Sequence, residues 1–172
     1  DHLFVSGEFY RSGGRKPYMY TENLTRGTSR ICNIKTLGNK ARQSTSLTVD
    51  DGNHIYFGEH NRFIHRYKLE KHTSTETYCP LTSDPTTNYK RYDPDCDNPA
   101  NGHCKQLQIQ IDPNDPEIMY ITNGNKTNIQ RLSITDTALV ADPSPGISKG
   151  QGGTMITRSD DNVFFNGSTG LY

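Results

Sequence analysis

Short apolar and aromatic runs recur along the chain, each bounded by Gly, Asn, Asp or Pro. No eleven-residue window places apolar residues at helical spacing between credible caps, so the pattern predicts strands rather than helices. The clearest unit is a strand at residues 46–49, the turn Asp50-Asp51-Gly52-Asn53, an aromatic strand at 54–58 and a third strand at 62–69. A second copy runs through 107–111, the turn Asp112-Pro113-Asn114-Asp115-Pro116, then 117–122 and 127–132. A third begins at 153–157, turns at Ser159-Asp160-Asp161-Asn162 and enters 163–167. The opening run at 3–7 matches the second strand of an earlier copy, with 28–34 as its third.

With Phe4, Tyr56, Tyr120 and Phe164 as equivalent points, the spacings are 52, 64 and 44 residues. Blades of four antiparallel strands need roughly 40–50 residues. The long second interval holds an insert between Cys79 and Cys104. The expected fold is therefore all-β: antiparallel four-stranded blades of a partial β-propeller, about three of them visible. Residues 1–172 form a single segment with blade pieces at about 1–44, 45–103, 104–150 and 151–172. A fan of three blades leaves open sheet edges, so the remaining blades are expected from the same polypeptide or from another chain. In the turns, Asp and Asn tolerate left-handed backbone and bond their own main chain, which assigns the acidic pairs to turn closure ahead of catalysis or metal binding.

Composition narrows the picture. Hydrophobic residues make up 31% and 15 Gly raise the apolar class to about 40%, below the 45–50% usual for a domain, which suits a piece that shares its core. The 19 basic and 19 acidic residues cancel, so no excess positive field attracts nucleic acid. No run of 18 apolar residues is present, so membrane insertion of this segment is not expected. The start at Asp1, without a Met, reads as a mature or internal piece. Three acceptor sequons, at Asn23, Asn125 and Asn166, occur beside an even set of cysteines, Cys32, Cys79, Cys96 and Cys104. Together they predict N-glycosylation, disulfides and a secreted, extracellular setting.

The stretch from Thr48 to Arg62, with Asp50-Asp51-Gly52-Asn53-His54-Ile55-Tyr56-Phe57-Gly58 at its centre, resembles propellers of the NHL or YWTD type. Tyr56-Phe57-Gly58-Glu59-His60-Asn61-Arg62, followed by the segment from Cys79 to Cys104, is also similar to the sema domain. The likeness covers about residues 45–135. Thr122-Asn123-Gly124 departs from the sema pattern, which has Cys-Gly-Thr there. The resemblance implies a fold more than an activity, because propellers host many functions.

Asp93, Asp95 and Asp97 alternate in a loop flanked by Cys96 and Cys104, an oxygen pattern that suits calcium. The closing Glu of an EF-hand is absent, and a disulfide-stapled polar loop is the simpler expectation, with no cofactor. All four cysteines are expected to pair, Cys79 joining Cys96 or Cys104 across the insert. The six histidines, His60 and His65 among them, are expected at the surface without a shared metal. The basic and aromatic stretch from Tyr10 to Arg30 reads as a solvated loop, with glycans or acidic partners as its alternative use. No nucleophile elbow, phosphate loop or zinc-protease motif occurs. The expected function is non-catalytic binding or assembly with an extracellular protein or glycan. The alternative is a propeller enzyme, a calcium-dependent lactonase or a sugar dehydrogenase.

Overall fold

A computed structural model describes residues 1–11, 14–33, 44–50, 53–59, 64–81, 89–92, 108–122, 128–135, 138–141, 147–148, 156–159, 162–167 and 170–171. Among them there is no helix, and the fold is all-β. Sheet I is the antiparallel meander β1 (His2–Arg11), β2 (Gly14–Asn23) and β3 (Thr28–Asn33). Sheet II follows with β4 (Ser44–Val49), β5 (His54–Glu59), β6 (Ile64–His72) and β7 (Thr77–Pro80), and β8 (Tyr89–Tyr92) also lies on β6. Sheet III repeats that plan in β9 (Gln108–Ile111), β10 (Ile118–Thr122), β11 (Asn128–Ile134) and β12 (Leu139–Ala141), with β13 (Ile147–Ser148) on β11. Sheet IV is β14 (Ile156–Ser159), β15 (Asn162–Gly167) and β16 (Gly170–Leu171).

The fourth position of sheets II and III is shared by two short strands. On β6, residues Leu69–His72 pair with β7 while Ile64–Tyr67 pair with β8. Part of the segment between Cys79 and Cys104 thus lies on the sheet as β8. The stretch from Tyr10 to Arg30 differs from expectation. Its centre is β2, paired on both sides by β1 and β3. Pro17 obscures this strand, since proline lacks the ladder N–H. It sits opposite Glu8, one residue beyond the reach of β3, which pairs only Tyr18 through Asn23.

The sheets form a row, I–II–III–IV. Strand β4 adjoins β1 on one side and β9 on the other, and β9 adjoins β14. The opening strands of sheets II, III and IV thus lie side by side, an arrangement consistent with partial propeller-like blades. Two cores result. Between I and II lie Met19, Cys32, Ile55, Phe57, Tyr67 and Leu69, with Phe4 and Leu47 packed against them. Between II and III lie Tyr56, Ile64, Ile109, Ile111, Met119, Ile121, Leu132 and Leu139. Successive side chains of β5 point to opposite faces, so Ile55 and Phe57 enter one core and Tyr56 the other. Residues 55–58 are all buried, and the run shows little alternation because both of its faces are covered.

Edge backbone between the sheets is satisfied by side chains. Strand β9 ends sheet III, and its outward amides find β4. The Ile109 N–H donates to Ser46 Oγ at 3.1 Å, and the Ile111 N–H donates to Thr48 Oγ1 at 3.3 Å. Gln110 Nε2 donates to the same Thr48 oxygen at 3.2 Å. Short hydroxyl side chains on one edge thus close the edge of the next sheet, which would otherwise invite foreign strands.

Candidate functional site

The turn between β4 and β5 is built around one carboxylate. Asp50 Oδ1 accepts the His54 N–H at 2.8 Å, and Asp50 Oδ2 accepts the Tyr56 hydroxyl at 2.8 Å and lies 3.2 Å from His54 Nδ1. Asn53 closes the turn at φ 63°, the left-handed conformation its side chain tolerates. Burial pushes the Asp50 carboxyl up, but the hydrogen bonds from the His54 ring and amide and from Tyr56, with the His54 charge, outweigh it and leave it below 3.8. Burial, then the Asp50 bond and charge, push the Tyr56 hydroxyl well above its usual 10.0, with Arg66 acting in the opposite direction. A committed carboxylate and a neutral phenol make a lock.

Sheet III carries the same lock. Asp112 Oδ2 accepts the Tyr120 hydroxyl at 2.9 Å, while Asp112 Oδ1 accepts the Asn114 N–H at 2.9 Å. Burial first, and then Asp112, raise the Tyr120 hydroxyl against the charge of Arg131. The ladders put Tyr56 opposite Arg66 and Tyr120 opposite Arg131, so Asp, Tyr and Arg recur at matching places. Arg66, only 6% exposed, passes the chain of contacts to the next sheet: its Nη1 donates to the Thr135 carbonyl at 2.7 Å. Asp50 and Asp112 are thus bound to backbone and tyrosine, as the turn pattern predicts.

A second seam joins sheets I and II at the β2–β3 and β6–β7 turns. The Glu76 carbonyl accepts Asn23 Nδ2 at 3.3 Å and lies 3.0 Å from His2 Nε2. The Glu76 carboxylate lies 3.1 Å from Arg26 Nε and 3.8 Å from Lys71 Nζ, and Thr28 Oγ1 donates to the Thr75 carbonyl. Arg30 also meets the His72 ring. Beneath this polar seam Cys32 of β3 is joined to Cys79 of β7 by a disulfide. The expected bridge from Cys79 to Cys96 or Cys104 is therefore replaced by one between sheets. The physical reason is adjacency: β3 lies against β7, bringing residues 47 apart in sequence to a Cα separation of 5.6 Å.

The sequon residue Asn23 is buried, and its Oδ1 accepts the Thr25 and Arg26 amides at 3.1 Å each. Asn166 lies on β15 opposite Leu171. Asn125, Cys96, Cys104, His60 and the trio Asp93, Asp95 and Asp97 lie outside the described residues. His65 corrects the surface expectation: it is 6% exposed, on the central strand β6 of a sheet covered on both sides. Among the described residues no three His, Cys, Asp or Glu side chains gather in a way that could hold a metal ion. Nor does any described helix have the length and apolarity to cross a membrane. The Asp–Tyr–Arg lock was within reach of the sequence as a recurring Asp-turn, Tyr and Arg in the two clearest repeats; what links one lock to the next sheet was not.

No protein-family model matches this chain, and no curated protein matches it.

Proposed function

We propose that the chain is an extracellular, N-glycosylated β-propeller module of the NHL, YWTD or sema kind, which binds or assembles with proteins or glycans and performs no chemistry. The observation that carries this reading is the row of sheets with β4, β9 and β14 side by side, in which Ser46, Thr48 and Arg66 fasten sheet II to sheet III. Such a frame holds its connecting loops rigidly at the two ends of the strands, where recognition residues reside. The disulfide between Cys32 and Cys79 favours an oxidising compartment. The described carboxylates support the non-catalytic reading, since Asp50 and Asp112 are committed to their own turns. The remaining blades come from further polypeptide or another subunit.

The test is secretion of the 172-residue chain from eukaryotic cells, followed by glycosidase treatment and screening on glycan and extracellular-protein arrays. The expected result is a mass shift on deglycosylation and saturable binding to one class of target. Retention without glycan, or lactonase or dehydrogenase turnover abolished by one carboxylate substitution, overturns it.

A further inference from the structure

The turn that joins β2 to β3 is exposed, but the residue that opens it is not. Leu24 is 54% exposed and the Arg26 side chain 58%, whereas Asn23 is only 6% exposed. Asn23 belongs to the ladder on both sides, opposite His2 of β1 and Thr28 of β3. Its side chain is committed in two directions. Oδ1 turns back to accept the Thr25 and Arg26 amides, an Asx turn that closes the loop. Nδ2 points across to sheet II and donates to the Glu76 carbonyl at 3.3 Å.

An N-linked glycan replaces an Nδ2 hydrogen by the first carbon of a sugar ring, so the nitrogen must face open solvent. Asn23 Nδ2 faces a wall instead. A gap of 3.3 Å between nitrogen and carbonyl oxygen holds a hydrogen and excludes a carbon with its ring. The second hydrogen is enclosed as well, since so little of the residue is exposed. Nor is the wall free to step aside. Glu76 sits at φ 50° in the β6–β7 turn, and its carboxylate lies 3.1 Å from Arg26 Nε. Thr28 Oγ1 holds the neighbouring Thr75 carbonyl. The His2 ring, edge-on to Tyr78, stands 3.0 Å from the same Glu76 carbonyl. The bridge between Cys32 and Cys79 fixes β3 to β7 beneath them.

We infer that Asn23, although it heads an acceptor sequon, carries no glycan and serves as a strut joining sheet I to sheet II. The inference narrows the N-glycosylated reading above and rests on it for the chain's passage through a glycosylating compartment. The test is secretion of the 172-residue chain from eukaryotic cells, beside Asn23→Ala, Asn23→Asp and Thr25→Ala. Peptides are mapped after glycosidase release in heavy-oxygen water, which marks every formerly occupied Asn as a labelled Asp. Asn23 should be recovered unlabelled in nearly all copies. Thr25→Ala abolishes the sequon but leaves the contacts of Asn23 in place, so native mass should fall by no glycan and urea unfolding should be unchanged. Asn23→Ala should lower the ratio of folded to unfolded chain by about 10-fold or more, because the Glu76 carbonyl loses a donor and the Thr25 amide its acceptor. Asn23→Asp keeps the acceptor and loses the donor, so hydrogen exchange should quicken in the β6–β7 turn.

Labelled Asn23 in the folded, bridged chain, a Thr25→Ala protein lighter by one glycan, or an Asn23→Ala protein as stable as wild type overturns the inference. Label at Asn125 or Asn166 in the same maps reports separately on the glycosylated reading. Label at neither would remove that reading, while the stability of Asn23→Ala against Thr25→Ala would still decide whether Asn23 is the strut.

Discussion

Removing the bridge between Cys32 and Cys79, by replacing both residues with Ala, should strongly destabilise the described fold. The two cysteines are separated by 47 residues. Cross-linking a loop of that length removes about 14 cal/mol/K of denatured-state entropy, worth about 4 kcal/mol at room temperature. Cys32 is also 4% exposed within the core between sheets I and II, so loss of its sulfur adds about 1 kcal/mol of lost packing. Against a typical stability of about 5–15 kcal/mol, a loss of about 5 is a large share. For a chain of this size it lowers the melting temperature by about 10 °C or more. The assay is calorimetric unfolding of the double variant beside wild type, with a non-reducing peptide map to establish pairing. Cys96→Ala with Cys104→Ala serves as the control. Two results would refute the reasoning: Cys79 recovered in a peptide with Cys96 or Cys104, or a double variant within about 1 kcal/mol of wild type.

Three further outcomes are expected. The carboxyl of Asp50 lies below 3.8 in the folded chain, so the stability it contributes is present above that value and fades as pH falls through the lower folded value. The raised Tyr56 and Tyr120 hydroxyls contribute stability present below pH 10.0 and lost as pH climbs toward their folded values. Urea unfolding from pH 2 to 11 should therefore fall at both ends, Asp50→Asn flattening the acid limb and Tyr56→Phe the alkaline one; unchanged limbs in both variants would count against the lock. Arg66→Ala removes a charged donor from the Thr135 carbonyl and should destabilise by about 2 kcal/mol, with exchange quickening around both β6 and the β11–β12 turn. Thr21 is fully buried and its hydroxyl has no partner among the described residues, so Thr21→Val should stabilise by about 1 kcal/mol, and a loss of stability would show the hydroxyl to be bonded.

Local chemistry made the strand–turn–strand unit legible. Residues 46–49 and 54–58 differ from the observed β4 and β5 by only one or two positions at an end, because Asp50 and Asn53 encode their turn within four residues. The same holds for β9 with β10 and for β15, where Asp or Asn punctuates an apolar run. Strand β2 escaped because Pro17 and two cations disguise its start, and only the ladder shows that Pro17 faces no strand on its β3 side. The short strands β7, β8, β12 and β13 carry too few residues for a period, and exist because β6 and β11 offer them an edge.

The pairing of cysteines belonged wholly to the tertiary structure. Four cysteines allow three pairings, and nearness in sequence favours Cys79 with Cys96 or Cys104. What selects Cys32 is the contact of β3 with β7, set by two sheets burying Met19, Ile55, Phe57 and Tyr67 between them. The burial of His65, the reach of Arg66 to Thr135 and the capping of β9 by Ser46 and Thr48 have the same origin. Sequence period says which residues share a face, since side chains alternate along any strand. It does not say which sheet that face meets, because such meetings join residues some 45 to 70 positions apart, with no local pattern to mark them.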